Sequence, residues 1–453
     1  MSVRFSELDG ASIGVWGAGR EIVSFAQQLE RRLPGARIAV VAFNDAPQEG
    51  ALSALRAPGA RVVHGAHVGP ALAGCDVVVR SPGVSLHRPE LQALLAAGTP
   101  VTTATALWLA ERGGARVIGV TGTKGKSTTA ALACHLARQA GLDMALAGNI
   151  GVPALDLLDG DPERPAVVEL SSYQIADLEV GPEVAVFTNL FREHLDWHGS
   201  EEIYRAEKLR LLELPGVHVC VLNARDELLR ALRPRVALRH YGEAQGWDLR
   251  AGGIALHGAP VLTGAELPLR GEHNALNLCA ALSALEAFGV EPPPLPGALA
   301  GFQALPHRLQ NVCERAGVLW VNDSISTTPE STLAALASFP DREIVLLGGG
   351  QDRGQDYAAL AGALAARDAQ LVGVPSTGPR LVAHAIAAGV PRERAREAPD
   401  MAAAVELAGA LAPTGAVVLL SPAAPSYDRY RDFEERGERF SELARSLPPS
   451  PSA

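Results

Sequence analysis

A chain of 453 residues, 47% hydrophobic and 20% charged, can hold about two to four domains with sizeable cores and is not a disordered polymer. Its formal net charge of −10 argues against general binding to nucleic acid or to an anionic membrane surface, although a local site can still take an anionic small molecule. Five cysteines (Cys75, Cys134, Cys220, Cys279 and Cys313) are far apart and lack C-x-x-C spacing, so buried thiols are expected, not disulfides or a metal cluster. With no signal-peptide pattern and no run of about 20 apolar residues, a cytoplasmic chain without a membrane span is expected.

Ser12 to Trp16 predicts a strand that enters the turn Gly17-Ala18-Gly19-Arg20. A helix to about Leu33 and a second strand, Arg37 to Phe43, complete a β-α-β opening that ends at Asn44-Asp45. This is the layout of a dinucleotide fold, but the G-x-G-x-x-G fingerprint is incomplete because residue 22 is Ile; a doubly wound domain without nicotinamide explains it at least as well. The next strand, Asp76 to Arg80, runs into Ser81-Pro82-Gly83, whose hydroxyl and N–H groups fall at a strand's carboxyl end. Residues 1–104 therefore read as one domain with a crevice for a nucleotide or sugar.

A second domain is expected from the helix Thr105 to Arg112. The apolar run Val117 to Val120 leads into Thr121-Gly122-Thr123-Lys124-Gly125-Lys126-Ser127-Thr128, and a helix is expected from Thr128. Strand, glycine loop and helix start form a cradle whose N–H groups converge on phosphate. Lys126 supplies the charge for the outer phosphates, and Ser127 or Thr128 a hydroxyl for Mg²⁺. Val120 stands where the strict phosphate-loop pattern has its first glycine.

Gly148-Asn149-Ile150-Gly151 is a turn with one polar side chain. The strand Ala166 to Glu169 ends in an acid suited to Mg²⁺ beside a phosphate loop; Ser171 or Ser172 after it is also suited to capping a helix. Strand Val184 to Leu190 is followed by Arg192-Glu193-His194-Leu195-Asp196-Trp197-His198, a polar site or an ordinary charged turn. Lys208, on the helix from Ser200, reads by itself as a solvated lysine. Residues 233–270 suggest small strands and hairpins, and the helix opening at Gly271 puts His273, Asn274 and Asn277 on one face. After the linker Gly301 to Pro306 and His307-Arg308, three strands end in Asn322-Asp323-Ser324, Gly348-Gly349-Gly350 and Ser421-Pro422, each with a polar loop at the ligand edge of a parallel sheet.

In this order Gly122–Thr128, Gly148–Gly151, Glu169–Gln174, His273-Asn274-x-x-Asn277, Leu305-Pro306-His307-Arg308 and Asn322-Asp323-Ser324 resemble the Mur ligase family, ATP-dependent amino-acid ligases of peptidoglycan precursor synthesis. The run Leu420 to Gly437, with Ser426 and Phe433, is most similar to the branch that adds D-glutamate to UDP-N-acetylmuramoyl-L-alanine. The resemblance implies an α/β chain of three domains. These are a Rossmann-like UDP-binding domain (1–104), a central P-loop ATPase domain (105–304) and a C-terminal Rossmann-like amino-acid-binding domain (305–453). It implies an acyl-phosphate mechanism in a cytoplasmic monomer, with UDP-N-acetylmuramoyl-L-alanine and glutamate as partners and no nucleic acid.

The resemblance also assigns roles. Lys126, His194, Lys208 and Arg308 would be catalytic. ATP would meet Gly122, Thr123, Lys124, Gly125, Lys126, Ser127, Thr128, Asn277, Arg308 and Asp323. Two Mg²⁺ ions would be held by Ser127, Glu169, His194 and a carbamylated Lys208. Gly17, Ala18, Gly19, Arg20, Ser81, Pro82 and Gly83 would hold the uridine diphosphate, Asn149 and Ser171 the rest of that substrate, and Thr327, Arg353, Ser426 and Phe433 the glutamate. Two positions depart from the family pattern: Ile325 and Arg353 stand where lysines are usual. The changed pattern also resembles a variant branch that adds L-glutamate, so D-glutamate is favoured with the L isomer open. A folylpolyglutamate-synthetase-like ligase, a non-catalytic nucleotide-binding scaffold and a nicotinamide enzyme are the remaining readings.

Overall fold

The computed structural model describes residues 3–46, 55, 57–191, 200–267, 269, 271–303 and 305–447. They form two compact units, one of Met1–Pro268 with Glu272–Phe302 and one of Leu269–Gly271 with Gln303–Ala453.

The first unit begins with a five-stranded sheet. Its strands are β1 (Ser12–Trp16), β2 (Arg37–Phe43), β3 (Arg61–His64), β4 (Val77–Arg80) and β5 (Val101–Thr102), in the order β3-β2-β1-β4-β5 and all parallel. The run of three valines in β4 and the burial of Ile13 to Trp16 in β1 are what strands covered on both faces require. The order reverses between β1 and β4, which opens a crevice at their carboxyl ends.

The same unit holds a six-stranded parallel sheet of β6 (Val117–Thr121), β7 (Ala145–Gly148), β8 (Ala166–Glu169), β9 (Val184–Phe187), β10 (Val219–Asn223) and β11 (Ala237–Tyr241). The order is β11-β10-β9-β6-β8-β7, so β6 lies between β8 and β9 and the three carboxyl ends sit side by side. Ile118 and Val120 are fully buried in it, each contributing about 1.5–3 kcal/mol of apolar burial. One hydrophobic core joins the two sheets. It includes Ile13, Phe25 and Val79 from the first, Trp108 from the helix Ala104–Arg112, and Phe187 and Leu222 from the second. Thr103 caps that helix by accepting from the Ala106 N–H, and Gly113 ends it at φ 62.

Two expected boundaries move. The helix after the phosphate loop starts at Lys126, two residues before the expected start, because Gly125 at φ 85 is its N-cap. Of the pieces expected over 233–270, β11 joins the parallel sheet, and β12 (Trp247–Arg250), β13 (Gly253–Leu256) and β14 (Ala259–Leu262) form a separate antiparallel sheet. The helix Glu272–Ala287 packs on the helix Lys126–Gln139 through the core that includes Leu132, Leu136, Leu278 and Leu282.

The second unit holds β15 (Gln310–Arg315), β16 (Val318–Asn322), β17 (Ile344–Gly348), β18 (Gln370–Gly373), β19 (Ala395–Glu397) and β20 (Val417–Leu420) in the order β15-β16-β20-β17-β18-β19. Only the β15–β16 pair is antiparallel. Separate cores cover its two faces, one around Leu346 and Leu419, the other around Trp320 and Phe440. β20 lies between β16 and β17, so the loops after Asn322, Gly348 and Leu420 share one edge.

Candidate active site

The phosphate loop of the first unit leaves β6 through Gly122 at φ 139 and enters its helix through Gly125 at φ 85, conformations that glycine adopts without strain. It is held from β9. The Thr123 N–H donates to the Asn189 carbonyl at 2.8 Å and the Lys124 N–H to Asn189 Oδ1 at 2.8 Å. Thr188 Oγ1 and Asn189 Nδ2 donate to the Lys124 carbonyl at 2.6 and 3.0 Å. Thr188 and Asn189 were not singled out from the sequence; the signal was two hydroxyl and amide side chains placed directly at the end of a buried strand. Lys126 Nζ donates to the Thr123 carbonyl at 2.8 Å, folded over its own loop. Ser127 and Thr128 are buried in the first helical turn.

Asn277 is 7% exposed and lies against this loop, so close that a Cβ on Gly125 would run into its Oδ1. Thr129 Oγ1 donates to Asn277 Oδ1 at 3.4 Å, and Asn277 Nδ2 to Asn274 Oδ1 at 3.3 Å. The shared face expected for Asn274 and Asn277 is thus present.

Glu169, at the end of β8, is 1% exposed. Asn149 Nδ2 donates to its Oε1 at 3.3 Å, whereas Oε2 is buried with no hydrogen-bond partner among the described residues. A buried carboxylate oxygen without a donor is costly and suits a cation, so this residue fits Mg²⁺. Among the described residues no group of three His, Cys, Asp or Glu side chains could hold a metal ion. His194 lies outside the described residues, with the rest of the charged run 192–199.

Lys208 is the clearest correction to the reading from residues alone. It is 2% exposed, and its Nζ donates to the Gly122 carbonyl at 3.0 Å while lying 5.1 Å from the Tyr204 ring centre. Tyr204 and Lys208, four residues apart, are the two buried side chains of the helix Glu201–Leu209, and an aromatic at i−4 was the available sign that the lysine faces inward.

At the reversal of the first sheet, the two expected glycine and serine turns meet. The Ser81 N–H donates to the Trp16 carbonyl at 2.8 Å, the Gly19 N–H reaches Ser81 Oγ at 3.4 Å, and a Cβ on Gly17 would come within 2.6 Å of that oxygen. Arg80, fully buried, pairs with Asp177 at 2.7 Å and donates to the Pro82 carbonyl at 2.9 Å and the Tyr173 carbonyl at 2.9 Å, shaping the Ser81–Gly83 turn. Sequence reasoning missed Arg80, which stood at the end of an apolar strand.

Arg20, expected at the uridine diphosphate, donates to the Gly148 carbonyl at 3.0 Å and so ties the first sheet to the Asn149 turn. Beside it, Glu21 accepts from Gln174 Nε2 at 2.6 Å, and Gln174 Oε1 accepts from the Ser171 N–H at 2.8 Å and the Ser171 hydroxyl at 2.9 Å. Ser171 is the cap of the helix Ser172–Ile175, as its position also allowed. Burial, opposed by the bonds from Gln174 and Thr105, raises the Glu21 carboxyl above its ordinary range.

In the second unit, Asp323 is 3% exposed and accepts from Ser421 Oγ at 2.8 Å and from the Leu309 N–H at 3.1 Å. Burial pushes it up to about 6, against the pull of bonds from Ser326 and Ser421 and the charge of Arg308. Arg308 follows His307, which turns the chain at φ 62 and packs edge-on to Phe433 at 6.0 Å. Ser426 is 1% exposed. Thr327 directly precedes Thr328, which caps the helix Pro329–Ala337. Arg436 is a further residue missed in the sequence. It is fully buried and donates to Ser324 Oγ, the Ser324 carbonyl and the Ala424 carbonyl at 3.0, 2.8 and 3.0 Å.

Residues 120–285 match the Mur ligase middle domain, and residues 307–424 match the Mur ligase glutamate ligase domain. A protein of Xanthomonas euvesicatoria pv. vesicatoria is 42% identical over 467 residues, covering 100% of this chain and 98% of that one. The chain belongs to the Mur ligase family. It is an ATP-dependent ligase that forms a peptide bond. The Xanthomonas relative is named UDP-N-acetylmuramoyl-L-alanine–L-glutamate ligase. So is a protein of Micromonospora sp., 42% identical over 463 residues, 99% of this chain and 100% of that one. Among solved structures, UDP-N-acetylmuramate–alanine ligase of Thermotoga maritima superposes with a TM-score of 0.63 at 20% identity, covering 96% and 99% of the two chains. MurF of Acinetobacter baumannii gives 0.60 at 17%, covering 98% and 93%. The three-domain α/β Mur ligase fold follows from these likenesses.

Proposed function

We propose that this Mur ligase joins L-glutamate to UDP-N-acetylmuramoyl-L-alanine in peptidoglycan precursor synthesis. The observation that carries the reading is full-length similarity to relatives whose names specify that substrate and that isomer. It favours the L isomer over the D isomer favoured by motif resemblance, and it agrees with Ile325 and Arg353 standing where the D-glutamate branch usually has lysines. The domains would be 1–104, 105–304 and 305–453, in a cytoplasmic monomer.

The alanine carboxylate of the UDP substrate would attack the γ-phosphorus of ATP, giving an acyl phosphate and ADP. The glutamate amine would then attack the acyl carbon, lose a proton and expel phosphate. Carboxylate and triphosphate repel each other, so cationic neutralisation dominates the barrier. Lys126 and the N–H groups of residues 122–128 would hold the phosphates, Asn277 the adenine and Asp323 the ribose, with Arg308 adding positive charge. Ser127, Glu169 and His194 would hold Mg²⁺, which neutralises phosphate charge when bound. Carbamylation of Lys208 would make it an anion facing the same ions. Gly17, Gly19 and Ser81 would seat the uridine diphosphate, Asn149 and Ser171 the muramoyl end, and Thr327, Arg353, Ser426 and Phe433 the glutamate.

Phosphate release with UDP-N-acetylmuramoyl-L-alanine, ATP and Mg²⁺ tests the reading when D- and L-glutamate are run in parallel. Release with L-glutamate alone is expected. Release with D-glutamate alone would overturn the isomer, and release with neither would overturn the substrate.

A further inference from the structure

The loop after β17 presents two charged side chains in succession, Asp352 and Arg353, and treats them differently. Asp352 Oδ1 accepts from Arg380 Nη2 at 2.9 Å and from the Gly354 N–H at 2.8 Å. Arg353 has no carboxylate partner among the described residues; its guanidinium lies over the ring of Tyr427, 5.8 Å from the centre. Tyr427 is 60% exposed, an outlay of aromatic surface that its own packing does not explain. The two loops are joined by the Gln351 N–H, which donates to the Pro425 carbonyl at 2.8 Å. The Arg353 N–H is tied to Gln355 Oε1 at 3.0 Å, so the backbone beneath the guanidinium is set as well. The buried Oε1 of Gln351 has no hydrogen-bond partner among the described residues, and an α-ammonium group would supply one.

We propose that Tyr427 and Arg380 are positioning residues for amino-acid recognition. Tyr427 holds the Arg353 guanidinium by its face, and Arg380 keeps Asp352 from neutralising it. This rests on the reading of the protein as a glutamate ligase. A guanidinium laid on a ring keeps its in-plane donors pointing outward, where they accept a carboxylate in bidentate fashion. A lysine at residue 353 would be a mobile point charge with no plane to align, so the tyrosine shelf is meaningful only with arginine. Without Arg380, Asp352 would be left to pair with the neighbouring Arg353 and would compete with the substrate carboxylate.

The test is steady-state phosphate release by the full-length protein, with the glutamate isomer that the wild type accepts as the varied substrate. Tyr427→Leu is expected to raise the KM for glutamate roughly two- to fivefold, the range of one exposed cation–π contact, while kcat and the KM for ATP stay at wild-type values. Tyr427→Phe, which keeps the ring, is expected to keep the wild-type KM. Arg380→Met is expected to raise the KM, and adding Asp352→Asn to bring it back. A Tyr427→Leu enzyme with an unchanged KM, a Tyr427→Phe enzyme as impaired as Tyr427→Leu, or no recovery in the double variant would overturn the shelf while leaving the ligase reading in place. A wild type that turns over neither isomer would overturn both.

Discussion

Lys208 Nζ donates to the carbonyl of Gly122, the glycine through which the phosphate loop leaves its strand, at 3.0 Å. An ammonium buried at this point cannot be a surface charge. Its removal is expected to lower kcat by about a hundredfold, the scale of losing one electrostatic stabiliser of the transition state. ATP binding should persist in Lys208→Ala, because the loop N–H groups and Lys126 remain. A short-chain carboxylic acid should restore part of the activity if the native group is a carbamate. Turnover with and without added acid, alongside nucleotide titration, checks this; full activity in the variant would remove Lys208 from the catalytic set.

Gly125 shows how backbone conformation and side-chain contact constrain one position together. Its φ of 85 disfavours a side chain, and a Cβ would run into Asn277 Oδ1. Gly125→Ala is expected to cost more than about 1 kcal/mol from the backbone alone and to displace either the helix start or Asn277. ATP affinity should fall together with the thermal midpoint. An alanine variant with wild-type ATP affinity would show that Asn277 moves aside freely.

The parallel sheets were legible because buried strands carry short apolar runs rich in Val, Ile and Leu, and the polar loops at their ends were legible because glycine, serine and acid follow those runs at once. Gly17, Ser81 and Glu169 stand at such strand ends, whereas Asn277 was placed by helical spacing. Arg80 and Arg436 were not readable from local pattern, and Lys208 only through the tyrosine four residues before it. Each is a long cation carried into the interior by partners far along the chain: Asp177 for Arg80, Ser324 and Ala424 for Arg436, and Gly122 for Lys208. A charge at those places looks like a surface residue until tertiary contacts supply its acceptors. Arg20, adjoining a nucleotide-type turn, also donates to the Gly148 carbonyl of a neighbouring sheet, a contact that local pattern does not announce.

The Glu21–Gln174–Ser171 chain gives a prediction about orientation. Glu21 accepts from Gln174 Nε2 at 2.6 Å, so Gln174 Oε1 faces Ser171 and takes its hydroxyl proton at 2.9 Å. The Ser171 oxygen is thereby left to accept. Gln174→Ala leaves the buried Glu21 with a lost donor, costing about 1–3 kcal/mol. The KM for the UDP substrate is expected to rise more than the KM for ATP. Equal changes in both would mean that the chain serves stability alone.

Asp323 supplies the pH dependence. Burial pushes its carboxyl up to about 6 in the folded protein, whereas an unfolded aspartate titrates near 3.9. Between those values the native state keeps a proton that the unfolded state has lost. This contribution to stability is therefore whole below about pH 4, falls as pH rises to about 6 and is level above that, a total of about 3 kcal/mol. Asp323→Asn keeps an acceptor for the Leu309 N–H and has no proton to lose. Its thermal midpoint should consequently gain on the wild type as pH rises from about 4 to about 6, and hold that gain at neutral pH. Parallel melting curves across that range measure the difference. A difference independent of pH would mean that Asp323 ionises at its ordinary value, with Ser421, Ser326 and Arg308 offsetting its burial.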